Sequence, residues 1–190
     1  MPGTVYISFA HMLNAQSMQA VLNTCEQLVA KRIDSLYLLV STGGGSVDNG
    51  ITMYNTLRGM PFELTTHNVG NVDSMGNVLF LAGAKRYASP IARFMFHGLY
   101  TDVGGQSRLE MKVVAERLES LEASQRKMID IIADRTKIAR GEALALFRRQ
   151  ATKDAEWAQQ KGIVHEIRDL QIPLGAEFYN LALPPQGSTK

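Results

Sequence analysis

Cysteine is almost absent from this chain of 190 residues: Cys25 stands alone. An intramolecular disulfide is therefore excluded, and with it the small secreted scaffolds held together by several of them. Cys25 lies in a helix-like stretch, residues 22–28, where a thiol serves as a small buried hydrophobe. No apolar run approaches the ~20 residues of a membrane-spanning helix, and the N-terminus has neither a charged start nor a signal-type apolar core. The chain is thus expected to be cytoplasmic, away from the membrane. Neither sign of charge dominates: the net charge is +2, and lysines and arginines are dispersed, so no nucleic-acid or polyanion surface is expected. His11, His67 and His165 show no ligand spacing to one another, so a metal site is not expected. The glycine-rich turn at residues 41–47 lacks the lysine of a P-loop and, with Asp48, the third glycine of a dinucleotide fingerprint; no cofactor is expected.

What is present is an alternation of strand and helix patterns in one domain, residues 1–190. Residues 5–8 and 63–69 read as strands, and the continuous apolar run at 35–41 reads as a strand buried on both faces. Residues 15–31 read as a helix, with Met18, Val21, Leu22, Cys25, Leu28 and Val29 on one face and Asn14 as N-cap. A second helix is expected over 47–58 and a third after Ser74, followed by short strands at 86–89 and 92–97. This order predicts an α/β fold with crossover helices over a sheet. Beyond a polar link at 98–107, residues 109–137 form one long amphipathic pattern, too long for a small sheet to cover, which requires a bundle or another subunit. Shorter helices (141–149 and 154–161), a strand at 162–167 and a fraying tail at 173–190 complete the chain.

Three features carry chemistry. Ser74 falls at a strand-to-helix junction, where unpaired N–H groups and a positive dipole end favour an alkoxide, and where the N–H of Met75 can meet an oxyanion. A serine at such a place also serves simply as an N-cap. The surrounding motif is not the Gly-x-Ser-x-Gly elbow, because Val72 takes the first glycine position. The turn containing Gly44, Gly45, Ser46 and Val47 reads either as a tight connection or as a second oxyanion donor, the N–H of Gly45, beside an edge on which an extended peptide can pair. His97 ends an apolar strand; it is a structural histidine or, beside a serine, a general base.

Taken in order, these segments resemble the ClpP family of serine peptidases, within the ClpP/crotonase superfamily. Gly44-Gly45-Ser46-Val47 resembles the family's Pro-Gly-Gly-Ser-Val turn, and Asp73-Ser74-Met75-Gly76 its Ala-Ser-Met-Gly. Ala82-Gly83-Ala84-Lys85 and Met95-Phe96-His97 follow, and Ala158 to His165 is similar to the family's closing Ala-x-x-x-Gly-Leu-Val/Ile-Asp. The resemblance implies a spiral of β-β-α units, Ser74 as nucleophile, His97 as base, and an oxyanion hole from Gly45 and Met75. It also implies that residues 105–137 are a handle by which oligomeric rings stack around a chamber for peptide or unfolded protein. The family's third catalytic residue, an aspartate, falls on Gln150; Asp154 is the alternative if the loop is re-routed, and a bare Ser74–His97 pair is the third. Thr42-Gly43 stands where the family has Ser-Pro. The chain starts almost at its first strand, where the family has an axial loop, which weighs against an ATP-dependent unfoldase as partner. The expected function is a serine endopeptidase. A weak or inactive scaffold subunit and a crotonase-type acyl-CoA enzyme are the alternatives.

Overall fold

The computed structural model describes residues 3–100 and 110–183. The expected positions 101–109 of the link and handle, and 184–190 of the tail, lie outside the described residues. The elements run β1 (Thr4–Phe9), α1 (Ala15–Ala30), β2 (Ser35–Thr42), α2 (Val47–Arg58), β3 (Glu63–Asp73), α3 (Gly76–Phe80), β4 (Lys85–Ala88) and β5 (Arg93–Met95). Then come α4 (Met111–Arg135), α5 (Arg140–Arg148), β6 (Thr152–Asp154), α6 (Ala155–Gln160), β7 (Glu166–Ile167) and β8 (Glu177–Asn180). The α/β class holds, as does the expected order of elements up to α5; β6 and β8 are strands that were not expected.

The sheet runs β6-β5-β3-β2-β1-β8, with β4 branching from β3 and pairing β7. Its pairs are parallel except β5 with β6, which is antiparallel. β3 and β2 lie in the middle of this order, so β2 is apolar from Leu36 to Val40, and Leu36, Leu38 and Val40 are buried against the helices. Asn14 caps α1 in a reciprocal capping box with Ser17. The Cys25 thiol is buried, and burial pushes its pKa up to about 11, so it behaves as a core hydrophobe.

β3 does more than the sequence pattern announces. It continues past residue 69 to Asp73, and its register against β2 shifts between Val40 and Thr42. Its first half pairs β4 through Thr65–Asn68 and its second half pairs β5 through Asn71–Asp73. This change of neighbour directs the end of β3, and with it Ser74, toward the glycine turn that follows β2. The expected strand at 162–167 shrinks to Glu166–Ile167. Gly162 takes φ +73°, and the N–H groups of Ile163 and Val164 both turn back to the Ala158 carbonyl, closing α6 before the strand starts.

α4 has 25 residues, close to the expected helix. Its C-terminal half is anchored by buried Met128, Ile129 and Ile132, whereas Met111, Val114 and Leu118 on its first half are exposed. Among the described residues, no helix is long and apolar enough to cross a membrane.

Candidate active site

Ser74 is not an N-cap. The capping position of α3 is Met75, which makes no side-chain capping bond, and Ser74 sits just outside with φ +54°. A non-glycine residue in this region costs ~1–3 kcal/mol and persists only where its surroundings enforce it. Here they do. The Ser74 N–H donates to the Met95 carbonyl (2.7 Å), and the Ser74 carbonyl accepts from the N–H and side-chain amide of Asn77 (3.1 and 3.0 Å). The same amide group donates to Met95 O (2.9 Å), so Asn77 ties the end of β3 to β5. The serine is thereby held on a sharp corner between strand and helix.

The glycine turn packs directly beneath it. Gly44 has φ +85°, and a Cβ placed there would come within 2.7 Å of both Asp73 O and Ser74 Cβ. Gly45 (φ +141°) lies against Leu13 so closely that a Cβ would meet Leu13 O at 2.3 Å. Leu13 N–H donates to Gly44 O (2.7 Å) and Ser46 N–H to Leu13 O (2.8 Å). In this parallel bridge the N–H of Gly45 itself faces away from Leu13. Among the described residues, neither that N–H nor the N–H of Met75 is bonded to a backbone carbonyl.

A cleft of about 300 Å³ joins these parts. Gly45, Ser46 and Val47 line it from the turn, Ser74 and His97 from the ends of β3 and β5, and Leu121 and Ser124 from α4. Gly44, in contrast, is buried below the cleft floor. His97 is half-buried, with Tyr100 stacked on its ring (6.4 Å between centroids, 20° between planes). Its Nδ1 lies 2.8 Å from the Gly98 carbonyl. A carbonyl oxygen only accepts, so Nδ1 carries the proton of the neutral ring and Nε2 is left with its lone pair, the state a general base requires. Ser74 and His97 share the cleft without a hydrogen bond to each other.

The two positions considered for a third residue separate. Gln150 follows α5 with φ +51° and shares a second depression with His97, Met95 and Thr152. Asp154 is not brought to the pair. It stands opposite Arg93 at the far end of the β5–β6 ladder, where its carboxylate caps α6 by accepting from Trp157 N–H (2.8 Å). The loop is not re-routed, because Phe96 N–H donates to Ala151 O (2.9 Å), continuing the ladder and setting Gln150 beside His97. The sequence reading passed over Asp73. It is half-buried; burial raises its pKa and the charge of His97 opposes that rise. Its adjacency to Ser74 was visible in the sequence; its facing was not. Among the described residues, no cluster of three or more His, Cys, Asp or Glu side chains could hold a metal ion.

The profile of the Clp protease family matches residues 5–171, a span that contains every element of this site. The chain belongs to the Clp protease family. It is 32% identical over 144 residues to the ATP-dependent Clp protease proteolytic subunit 2 of Corynebacterium diphtheriae, covering 72% of this chain and 68% of that one. It is 31% identical over 136 residues to proteolytic subunit 1 of Corynebacterium jeikeium, with 68% of each chain covered. The fold is similar to that of a ClpP1 mutant from Listeria monocytogenes, with a TM-score of 0.77, 20% identity, and coverage of 88% of this chain and 92% of that chain. The ClpP-like reading of the motifs and the ClpP-type fold expected from them therefore stand.

Proposed function

We propose that this Clp-family chain is a serine endopeptidase subunit that forms an acyl-enzyme on Ser74. The observation that carries the reading is the corner at Ser74: a strained serine, next to two uncommitted N–H groups, in one cleft with a histidine whose Nδ1 is held by the Gly98 carbonyl. The Ser74 Oγ attacks the scissile carbonyl carbon and its proton passes to His97 Nε2. The resulting oxyanion is received by the N–H groups of Gly45 and Met75. Collapse breaks the C–N bond, and His97 returns the proton to the leaving amine. Water, deprotonated by His97, then hydrolyses the ester. The peptide lies extended along Gly45, Ser46 and Val47, above the Gly44 floor. Exposed Met111, Val114 and Leu118 on α4 support packing against a second copy, in a homo-oligomer that encloses the sites. Loss of peptide hydrolysis in Ser74→Ala, with the assembly intact, is the expected result; retained hydrolysis overturns the reading.

A second reading, a catalytically silent subunit in a mixed ring, draws on one observation: Ser74 and His97 do not hydrogen-bond, and Gln150 brings no charge. Peptide hydrolysis by the purified chain alone removes it.

A further inference from the structure

β3 ends at Asp73, one residue before Ser74, and Asp73 stands opposite Met95 in the parallel register of β3 and β5. Paired residues of neighbouring strands put their side chains on the same face, and residues two apart on one strand share a face. Val72, Phe94 and Phe96 form the inner side, each 0% exposed. Asp73, Met95 and His97 accordingly take the other side. Among the described residues, no ion pair or side-chain hydrogen bond takes up the Asp73 carboxylate.

We propose that Asp73 is the charge partner of His97: its carboxylate, diagonal to the imidazole across the β3–β5 pair, stabilises the imidazolium formed when Ser74 is acylated. This rests on the peptidase reading above. It assigns two tasks, usually given to one aspartate, to two groups. The Gly98 carbonyl fixes the His97 tautomer, and Asp73 supplies the negative charge that Gln150 lacks. Strands ~4.8 Å apart with a rise of ~3.3 Å per residue set such diagonal neighbours roughly 8 Å apart, which suits charge stabilisation without a direct bond. The electrostatic coupling of the two side chains agrees with this placement.

The other groups around His97 do not offer that charge. Gln150 and Thr152 on one side and Leu121 and Ser124 of α4 on the other are uncharged, and Tyr100 offers His97 the face of its ring. Arg93 shares the His97 face but lies four residues back, opposite Asp154. Lys153 is held over the Trp157 ring. Asp73 is thus a positioning residue by charge, one that touches neither substrate nor reacting atoms.

The test is the rate at which a fluorophosphonate labels Ser74 in the assembled full-length protein, followed across pH for wild type, Asp73→Asn and Asp73→Glu. Asp73→Asn is expected to label ~10-fold more slowly, with the acid limb of the profile moved to lower pH, because the imidazolium loses its partner. Asp73→Glu is expected to recover most of the rate. Asp73→Asn labelled at the wild-type rate with an unchanged pH profile overturns the inference and leaves the peptidase reading intact. A wild type that is not labelled at Ser74 overturns both. A second measurement is independent of Asp73 variants and their folding: the carboxyl titration of Asp73 by carbon-13 NMR. In His97→Gln its midpoint is expected to rise, since the opposing positive charge is gone; an unchanged midpoint overturns the inference.

Discussion

Gly44 touches Ser74 through space that no side chain can share: a Cβ on Gly44 would lie 2.7 Å from the Ser74 Cβ. The turn after β2 and the corner after β3 are therefore one unit, and the position of the serine depends on a glycine thirty residues upstream in the sequence. Gly44→Ala adds both this clash and a left-handed φ penalty of ~1–3 kcal/mol. It is expected to lower the midpoint of thermal unfolding, and to cut peptide hydrolysis ~100-fold through misplacement of Ser74. Calorimetry and steady-state hydrolysis read the two effects. Wild-type activity in a folded Gly44→Ala protein contradicts the coupling.

Gln150 and Asp154 make opposite predictions. Gln150→Asp introduces a carboxylate beside His97 at a backbone position with φ +51°, which aspartate tolerates better than most residues. It is expected to raise hydrolysis severalfold. Asp154→Ala removes the N-cap of α6 and is expected to cost about 1 kcal/mol of stability while leaving hydrolysis within about twofold of wild type. Chemical denaturation and kinetics on the two variants separate the roles. A catalytic collapse in Asp154→Ala contradicts the placement described here.

His67 gives the fold a pH dependence. It is 0% exposed, with Nδ1 2.7 Å from the Tyr37 hydroxyl and Nε2 3.3 Å from that of Ser89. Burial, with a smaller contribution from Arg168, lowers its pKa from 6.5 to about 4. Its folded value lies below its unfolded value, so the unfolded state binds the proton first. The stability contribution is complete above about pH 6.5 and declines as pH falls toward about 4; at pH 5 roughly 2 kcal/mol is lost. Urea unfolding at pH 7 and pH 5 measures this. His67→Gln is expected to flatten the difference, and an unchanged pH dependence in that variant contradicts it.

The sequence announced those elements whose residues alone satisfy a pattern. β2 is apolar without a break from Leu36 to Val40 because both its faces are covered, and α1 shows one apolar face with a capping asparagine. β6 and β8 escaped notice because Thr152–Asp154 and Glu177–Asn180 are polar or exposed segments made strands by their neighbours' hydrogen-bonding edges. The extension of β3 through Gly70 and Asn71 to Asp73 has little hydrophobic signal for the same reason. At the site, Ser74, His97 and the glycine turn were legible because their residue types are chemically distinctive. Asp154 remained a candidate until its use as a helix cap was seen. Asp73 was hidden because a strand register, not a spacing along the chain, decides which residues face His97.

Peptide hydrolysis by this chain depends on Ser74 acting as a nucleophile activated by His97. Treating the purified, assembled protein with a fluorophosphonate and mapping the adduct by mass spectrometry, with His97→Ala as control, tests it most directly. One adduct is expected, on Ser74, and it is lost in His97→Ala. An unlabelled Ser74 in the folded wild type, or labelling that persists without His97, contradicts it.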